Sequence, residues 1–385
     1  MPKTILVFTG GGIAAALNAT LYGVITEAQK KGYKILGGIE GWQSLLKGGK
    51  TTDFSDVDVS ILQTHGGTIL RSSRVNPLKV EKGMEQLKER IKELSLDGII
   101  AIGGDDTLGA ALEVSKTVEL SVVGIPKTVD NDLTGTYWCP GFPTAASKIV
   151  SITKQTKEDT AYGLKRIFLI ETIGMKAGWI PAASCLANPD LIVVPEREVP
   201  LDLLLELIEQ RYKNNGEYAT VVIAEEVRFK GGLKGMADNQ PDNFRNESRQ
   251  NFISIGLREE IKNHLGIYAQ CIIPRNYLQS GQPIEIDREF AVKLGQHAVG
   301  SISRNETGTM SCIVKKDKSR NEFTVSSVPL TEVAGKENHR VLDETLFDFD
   351  NFVVTEKMRD YISSIIGESS SDSAYSGLEK KIIRL

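Results

Sequence analysis

The chain has 385 residues, 41% of them hydrophobic and 25% charged, with 46 basic against 50 acidic side chains for a net charge of −4. That length exceeds one ordinary hydrophobic core and points to two lobes. The charge balance excludes a broad basic surface and with it nucleic-acid binding as the main activity, and no run approaches the about 18 apolar residues that span a bilayer.

The first element is the apolar run Thr4-Ile5-Leu6-Val7-Phe8, closed by Thr9-Gly10-Gly11-Gly12. It reads as a buried strand, a tight turn and a helix through about Ala14–Lys30. Val80, Met84, Leu87, Ile91 and Leu94 recur at helical spacing and precede a second strand, Gly98-Ile99-Ile100-Ala101-Ile102. Val122-Val123-Gly124-Ile125 is a third. Strands that are apolar throughout, alternating with helices, predict a parallel sheet covered on both faces. The theme then repeats. Arg166–Ile170, Leu191–Val194 and Thr220–Ala224 read as strands. Pro200 opens a helix with Leu203, Leu204, Leu207 and Ile208 inward, and Phe252–His264 is a helix closed by Gly266. Phe229–Ser248 reads as an exposed loop, with turns at Asp317–Asn321 and Gly335–Asn338. Cys139, Cys185, Cys271 and Cys312 are far apart, and with four scattered histidines they make no zinc pattern. Idle thiols and a start without a secretory pattern, Met1-Pro2-Lys3, predict a cytoplasmic protein with no membrane partner.

In a parallel sheet ligands bind beyond the carboxyl ends of the strands, so the loops that follow the strands carry the chemistry. Gly10-Gly11-Gly12 lets backbone N–H groups close on a phosphate, although alone it is as readily a structural turn. His65-Gly66-Gly67-Thr68 with Arg71 and Arg74 could hold an anion, or be a solvated turn. Gly103-Gly104-Asp105-Asp106-Thr107 places two adjacent carboxylates where a helix opens at Leu108. Asp106 could cap that helix, while Asp105 suits Mg²⁺ beside phosphates. Pro126-Lys127-Thr128-Val129-Asp130-Asn131-Asp132 gathers a cation, a hydroxyl and two carboxylates. A carboxylate there can take the proton of an attacking hydroxyl, and a lysine can hold a phosphate. An Asx-turn reading of Asp130-Asn131 leaves Lys127 unexplained.

Taken together, these loops resemble the phosphofructokinase family over most of the chain. Glu171-Thr172-Ile173-Gly174, Gly178-Trp179 and Pro195-Glu196 continue the order of its motifs. The resemblance implies an α/β fold of two three-layer lobes with mainly parallel sheets and the active site in the cleft between them. The phosphoryl-donor lobe would comprise 1–133 plus part of the C-terminal segment, about 285–385, and the acceptor lobe 134–284. It implies Asp130 as catalytic base, with Lys127 and Arg74 in the catalytic set, and Asp105 as the carboxylate on the Mg²⁺ side. Gly11, Gly12, Gly104, Asp106 and Thr107 would bind the donor. Thr128, Asp132, Ile173, Gly174, Glu196, Arg166 and Tyr277 would bind the acceptor, Arg166 across a subunit interface in a homodimer or homotetramer.

ATP-dependent bacterial members of the family usually carry glycine at the positions of Asp106 and Lys127, and the pair found here resembles the pyrophosphate-dependent branch. Asp106 would charge against a nucleotide α-phosphate, and Lys127 could bind the leaving phosphate. On the acceptor side Met175 and Ser280 stand where arginines are usual, and Ile13 replaces an aspartate after the glycines. Lys176, Arg275 or Arg166 could supply a replacement cation. The expected activity is phosphoryl transfer, with Mg²⁺, from pyrophosphate to the 1-hydroxyl of fructose 6-phosphate. The alternatives are ATP as donor, another sugar phosphate, sugar or polyol as acceptor, and a catalytically silent ligand-sensing subunit on the same fold.

Overall fold

A computed structural model describes residues 2–233, 252–317, 321–335 and 339–367. In chain order the elements are β1 (Thr4–Thr9), α1 (Leu17–Lys30), β2 (Lys34–Gly38), β3 (Thr51–Asp53), α2 (Gly83–Glu93), β4 (Gly98–Gly103), α3 (Asp105–Ser115), β5 (Ser121–Pro126), α4 (Phe142–Gln155), α5 (Tyr162–Leu164), β6 (Ile167–Thr172), α6 (Trp179–Ala183) and β7 (Leu191–Val193). Then come α7 (Leu201–Asn214), β8 (Ala219–Ala224), α8 (Ile253–Leu265), β9 (Ala269–Ile272), α9 (Asn276–Gln279), α10 (Glu285–Ser303), β10 (Thr309–Lys315), β11 (Phe323–Pro329), β12 (Phe347–Asp348), β13 (Val353–Val354) and α11 (Glu356–Ile366). A π-helical turn, Thr156–Ala161, follows α4. Of the loop expected at Phe229–Ser248, residues from 234 on lie outside the described residues, as do parts of both expected turns.

The chain forms two compact units, Met1–Ala145 with Gln279–Arg340, and Ala146–Leu278 with Val341–Leu385. The sequence reading set the boundaries at 133 and 285 and gave part of the C-terminal segment, about 285–385, to the first lobe. The described residues of 285–340 do lie in the first unit, whereas 341–367 pack with the second. Ile192 N–H donates to the Phe352 carbonyl at 2.8 Å, and the Tyr361 ring meets Trp179 at 5.4 Å.

The first unit is built on a seven-stranded sheet in the order β11-β10-β5-β4-β1-β2-β3. β2, β1, β4, β5 and β10 run parallel, and β3 and β11 are antiparallel edges. Leu6, Phe8, Ile99 and Ala101 pack into one cluster with Leu87 of α2 and Leu108 of α3. Their neighbours Ile5, Val7 and Ile100 point to the other face and are equally buried. Both faces are therefore covered, as fully apolar strands require. Across the second face α10 crosses α1 backbone to backbone. A Cβ on Gly23 would lie 2.2 Å from the Val292 carbonyl oxygen, and one on Gly295 2.5 Å from that of Thr20.

The second unit carries a parallel four-stranded sheet, β7-β8-β6-β9, and the short pair β12-β13. Ile167 and Leu169 of β6 share a core with Leu204, Leu205 and Ile208 of α7 and Leu257 and Ile261 of α8. As expected, α8 ends at Gly266, which sits at φ 66° where a side chain would be strained. Some boundaries differ from the sequence reading. α1 begins at Leu17 rather than Ala14. Val80 lies ahead of α2, more than a third exposed, because Lys82 turns left-handed at φ 53° and starts the helix afresh.

Candidate active site

β1, β4 and β5 are adjacent parallel strands whose register pairs Thr9 with Ile102 and Gly103 with Pro126. Their carboxyl ends are therefore level, and the loops after them must lie side by side. Backbone bonds tie the loops together: Gly10 N–H donates to the Ile102 carbonyl at 2.8 Å and Lys127 N–H to that of Gly103 at 2.9 Å. The arginine-bearing stretch joins from the other side, since Gly11 N–H donates to the Ser73 carbonyl at 2.9 Å and Ser72 Oγ to the Gly11 carbonyl at 2.7 Å. Arg74 thus stands beside the glycine turn, exposed.

Lys127 is the centre of the constellation. It is 4% exposed, and its Nζ donates to the Gly12 carbonyl at 2.6 Å. Burial pushes its pKa down to about 8, Asp130 and then Asp132 pull it back up, and Arg74 lowers it further. Because that value still exceeds 7, the buried amine is mostly an ammonium at neutral pH. Asp130 N–H donates to Thr128 Oγ1 at 3.1 Å. This is an ST-turn made by the Thr128 hydroxyl. Asn131, fully buried at φ 55°, accepts Cys139 N–H on its side-chain oxygen at 3.0 Å. The turn chemistry is thereby assigned to Thr128 and Asn131.

α3 opens at Asp105, three residues earlier than expected, with Gly104 as its N-cap and no side-chain cap bond. Asp105 and Asp106 both occupy its first turn, where the helix dipole favours negative charge. Asp106 is exposed and is not the cap. Asp105 Oδ1 accepts Gly335 N–H at 3.0 Å. Thr107 is 5% exposed and packs inward, its hydroxyl oxygen 2.5 Å from where a Cβ on Gly10 or Gly103 would stand. It explains why both positions are glycine.

One residue at this site was not anticipated. His339 pairs with Leu133 in an isolated antiparallel bridge. Its Nε2 is 3.7 Å from Asp105 Oδ2 and its Nδ1 3.7 Å from Asp132 Oδ2. Arg340 N–H secures this return by donating to the Asp132 carbonyl at 2.8 Å. No local pattern around His339 could reveal this placement, because the segment meets the carboxylates only through the fold.

The acceptor candidates lie mainly in the second unit. After β6 come Ile173 and Gly174, the latter at φ 144°, then Met175, 42% exposed at φ 49°. Glu225, directly after β8, accepts the N–H groups of Gly174 and Met175 on Oε1, both at 3.3 Å. Burial raises its pKa and the nearby Arg275 lowers it. The sequence reading stopped at the end of that strand and missed Glu225, although the rule of looking just past each strand would have found it. Glu171 is buried and spent on capping α8, accepting the Ser254 N–H at 2.8 Å and hydroxyl at 2.6 Å. Glu196 Oε1 accepts the N–H groups of Gly178 at 2.7 Å and Leu342 at 3.1 Å, while its Oε2 is buried without a hydrogen bond. It lines a cavity of about 690 Å³ with Lys176, Arg197, Arg228 and Phe349. Arg166 stacks on Tyr268 at 5.1 Å. Tyr277 is 59% exposed, and Lys148 Nζ both donates to its carbonyl at 2.8 Å and lies 4.6 Å over its ring.

Among the described residues no group of three or more His, Cys, Asp or Glu side chains could hold a metal by itself. The donor set at Asp105 still fits Mg²⁺, which takes one or two carboxylates, keeps several waters, and is completed by substrate phosphates. No described helix is long and apolar enough to cross a membrane.

The model of the phosphofructokinase family matches residues 4–302. A pyrophosphate–fructose 6-phosphate 1-phosphotransferase of Dictyoglomus thermophilum is 36% identical over 308 residues, 78% of this chain and 87% of that protein. An ATP-dependent 6-phosphofructokinase of Streptomyces coelicolor is 34% identical over 312 residues, 80% of this chain and 89% of that protein. The crystal structure of a pyrophosphate-dependent phosphofructokinase from Nitrosospira multiformis superposes with a TM-score of 0.83 at 25% identity, covering 95% of this chain and 93% of that one. Sequence and fold agree over nearly the whole length, and the chain belongs to the phosphofructokinase family.

Proposed function

We propose that the protein is a phosphotransferase that moves a phosphoryl group from pyrophosphate to the 1-hydroxyl of fructose 6-phosphate. The observation that carries this reading is the ammonium of Lys127, buried on the glycine turn within electrostatic reach of Asp130, Asp132 and Arg74. A cation so placed suits a compact diphosphate. The similarity to pyrophosphate-dependent relatives supports the same donor.

In the reaction the acceptor 1-oxygen attacks one phosphorus of pyrophosphate as Asp130 takes the hydroxyl proton. The bond from that phosphorus to the bridging oxygen breaks, and inorganic phosphate leaves against Lys127. Arg74 and the N–H groups of Gly12 and Gly104 steady the transferring group, with Gly11, whose own N–H is spent on Ser73, shaping the turn and Asp106 and Thr107 shaping the donor side. Asp105 is the residue to hold Mg²⁺, which when bound neutralises charge on the pyrophosphate oxygens. Thr128, Asp132, Ile173, Gly174, Glu196, Arg166 and Tyr277 are assigned to the acceptor, and Glu225 joins them because it fixes the Gly174–Met175 amides. Attacking and leaving oxygens are similar in energy, so the reaction is reversible.

A second reading keeps the centre and changes the acceptor. It rests on Met175 and Ser280, which offer no charge to a sugar phosphate where arginines are usual. An assay crossing pyrophosphate and ATP, each with Mg²⁺, against fructose 6-phosphate, sedoheptulose 7-phosphate and unphosphorylated sugars separates the two. Turnover with pyrophosphate and fructose 6-phosphate supports the first reading. Turnover only with another acceptor replaces it with the second, and turnover with ATP alone removes the donor assignment. The cross-subunit role of Arg166 calls for a homodimer or homotetramer in sedimentation, and a fully active monomer would exclude it.

A further inference from the structure

α10 begins far along the sequence from the loops that carry the chemistry, yet its third residue is a carboxylate with no exposure at all. Asp287 Oδ1 accepts the Gly141 N–H at 2.9 Å, and its Oδ2 accepts the Thr144 N–H at 3.3 Å and the Thr144 hydroxyl at 2.5 Å. The exchange is mutual: Thr144 Oγ1 accepts the Ile284 N–H at 3.2 Å. The N-terminal turns of α4 and α10 therefore cap one another. A buried charge is retained only where donors surround it, and here all three come from four residues of one turn.

That turn sits against the base-bearing loop. Gly141 forms an isolated parallel bridge with Thr128, two residues before Asp130. It stands at φ 104°, and a Cβ there would lie 2.7 Å from the Ala14 Cβ and 3.3 Å from Val129 Cγ1. Gly141 is thus wedged between the loop of Asp130 and the stretch that follows Gly12. Meanwhile α10 crosses α1, the helix after the glycine turn, in backbone contact at Gly23 and Gly295. One helix registers both loops, through its small-residue face to α1 and through Asp287 to Gly141.

We infer that Asp287 is a positioning residue for phosphoryl transfer, holding Gly141 and through it the Thr128–Asp130 turn at the place the attacking hydroxyl requires. It touches no substrate. Burial raises its pKa to about 6, so at neutral pH the ionised, acceptor-only form predominates and all three donors are satisfied. Asparagine in its place keeps the volume but has a single acceptor oxygen for two sides, so its NH₂ group faces an N–H donor, of Gly141 or of Thr144, and the joint hold on the turn is broken.

The inference rests on the assignment of Asp130, and its test separates the two. Asp287→Asn is compared with the parent protein for kcat, for KM of both substrates, and for hydrogen exchange across 127–132 in the absence of substrate. The expected result is a kcat lower by about 100-fold, the scale of a misplacement of about 1 Å, with each KM changed less than about threefold. Exchange at 127–132 rises while circular dichroism and the exchange of the central strands stay as in the parent. Unchanged exchange at 127–132, or a kcat within about threefold of the parent, overturns the inference. If Asp287→Asn does not fold, Thr144→Val and Thr144→Ser carry the same test. Serine keeps the hydroxyl and is expected to keep kcat, while valine lowers it; equal kcat in both overturns the inference. Because the exchange readout needs no turnover, a protein that uses neither donor would refute the proposed reaction and leave the role of Asp287 decidable.

Discussion

Lys127 Nζ donates to the carbonyl oxygen of Gly12 at 2.6 Å, joining the loop after β5 to the turn after β1 through one buried charge. The same ammonium that holds the two loops in register is the one assigned to the leaving phosphate. Removing it should separate these roles. Lys127→Met lowers kcat by about 100- to 1,000-fold, the usual cost of deleting a donor aimed at developing charge. Its effect on Tm is small, because the buried hydrogen bond to Gly12 and the cost of burying the charge are removed together. The folded pKa of about 8 lies below the ordinary lysine value of 10.5, so the native state disfavours the charged form, and stability present above pH 10.5 is lost as pH falls to about 8. Methionine removes that cost. A thermal melt at pH 7 alongside the rate measurement checks both halves, and a Tm fall of several degrees would reject the account.

The same shift sets an alkaline limit. Above pH about 8 Lys127 gives up its proton, so kcat with pyrophosphate declines there. Lys127→Arg keeps the charge and moves the decline to higher pH, though at reduced rate because a planar guanidinium does not reproduce a point charge. A pH–rate profile of both proteins decides this, and coincident alkaline limbs would assign the decline to another group.

Asp130→Asn keeps the ST-turn, because the bond at 3.1 Å is made by its backbone N–H. The substitution removes the proton acceptor and one of the two carboxylate charges that raise the Lys127 pKa, and leaves the turn in place. The expected loss in kcat is about 100- to 10,000-fold with little change in KM, read by steady-state kinetics. Retained activity would show that another group takes the proton.

His339 stands 3.7 Å from a carboxylate oxygen of both Asp105 and Asp132. His339→Ala leaves those two like charges without the ring between them. A higher Mg²⁺ concentration for half-maximal rate is expected, with kcat at saturating Mg²⁺ lowered less. A Mg²⁺ titration of the rate checks this, and an unchanged requirement would make His339 a bystander.

The α1–α10 crossing offers a stability test with an internal control. Gly23→Ala drives a methyl into the Val292 carbonyl at 2.2 Å and should cost about 1–3 kcal/mol. Gly109→Ala, in α3 with no atom within 4 Å of the new methyl, should instead add about 0.5–1 kcal/mol through helix propensity. Urea melts of the two variants, moving in opposite directions from the parent, are the expected outcome.

The parallel sheets were legible in the sequence because Ile5–Phe8, Ile99–Ile102 and Val122–Ile125 are apolar at every position, which only a strand buried on both faces allows. The loops of Gly10–Gly12, Gly104–Thr107 and Lys127–Asp132 were legible as well, since each directly follows such a strand. From strand periodicity and glycine turns one can locate carboxyl ends, and ligand chemistry gathers there. The side on which a segment packs is a different kind of fact. That 341–367 joins the second unit, that His339 reaches Asp105, and that Asp287 caps the turn at Gly141 depend on contacts between residues far apart in sequence. No local pattern encodes these, because a histidine or a buried aspartate looks the same in sequence whether it meets solvent or another strand's loop. The sequence by itself determined which groups the protein possesses for phosphoryl transfer. The tertiary structure decided which of them are held in place and by what, because burial, shared hydrogen bonds and backbone-to-backbone contact exist only once the chain has closed on itself.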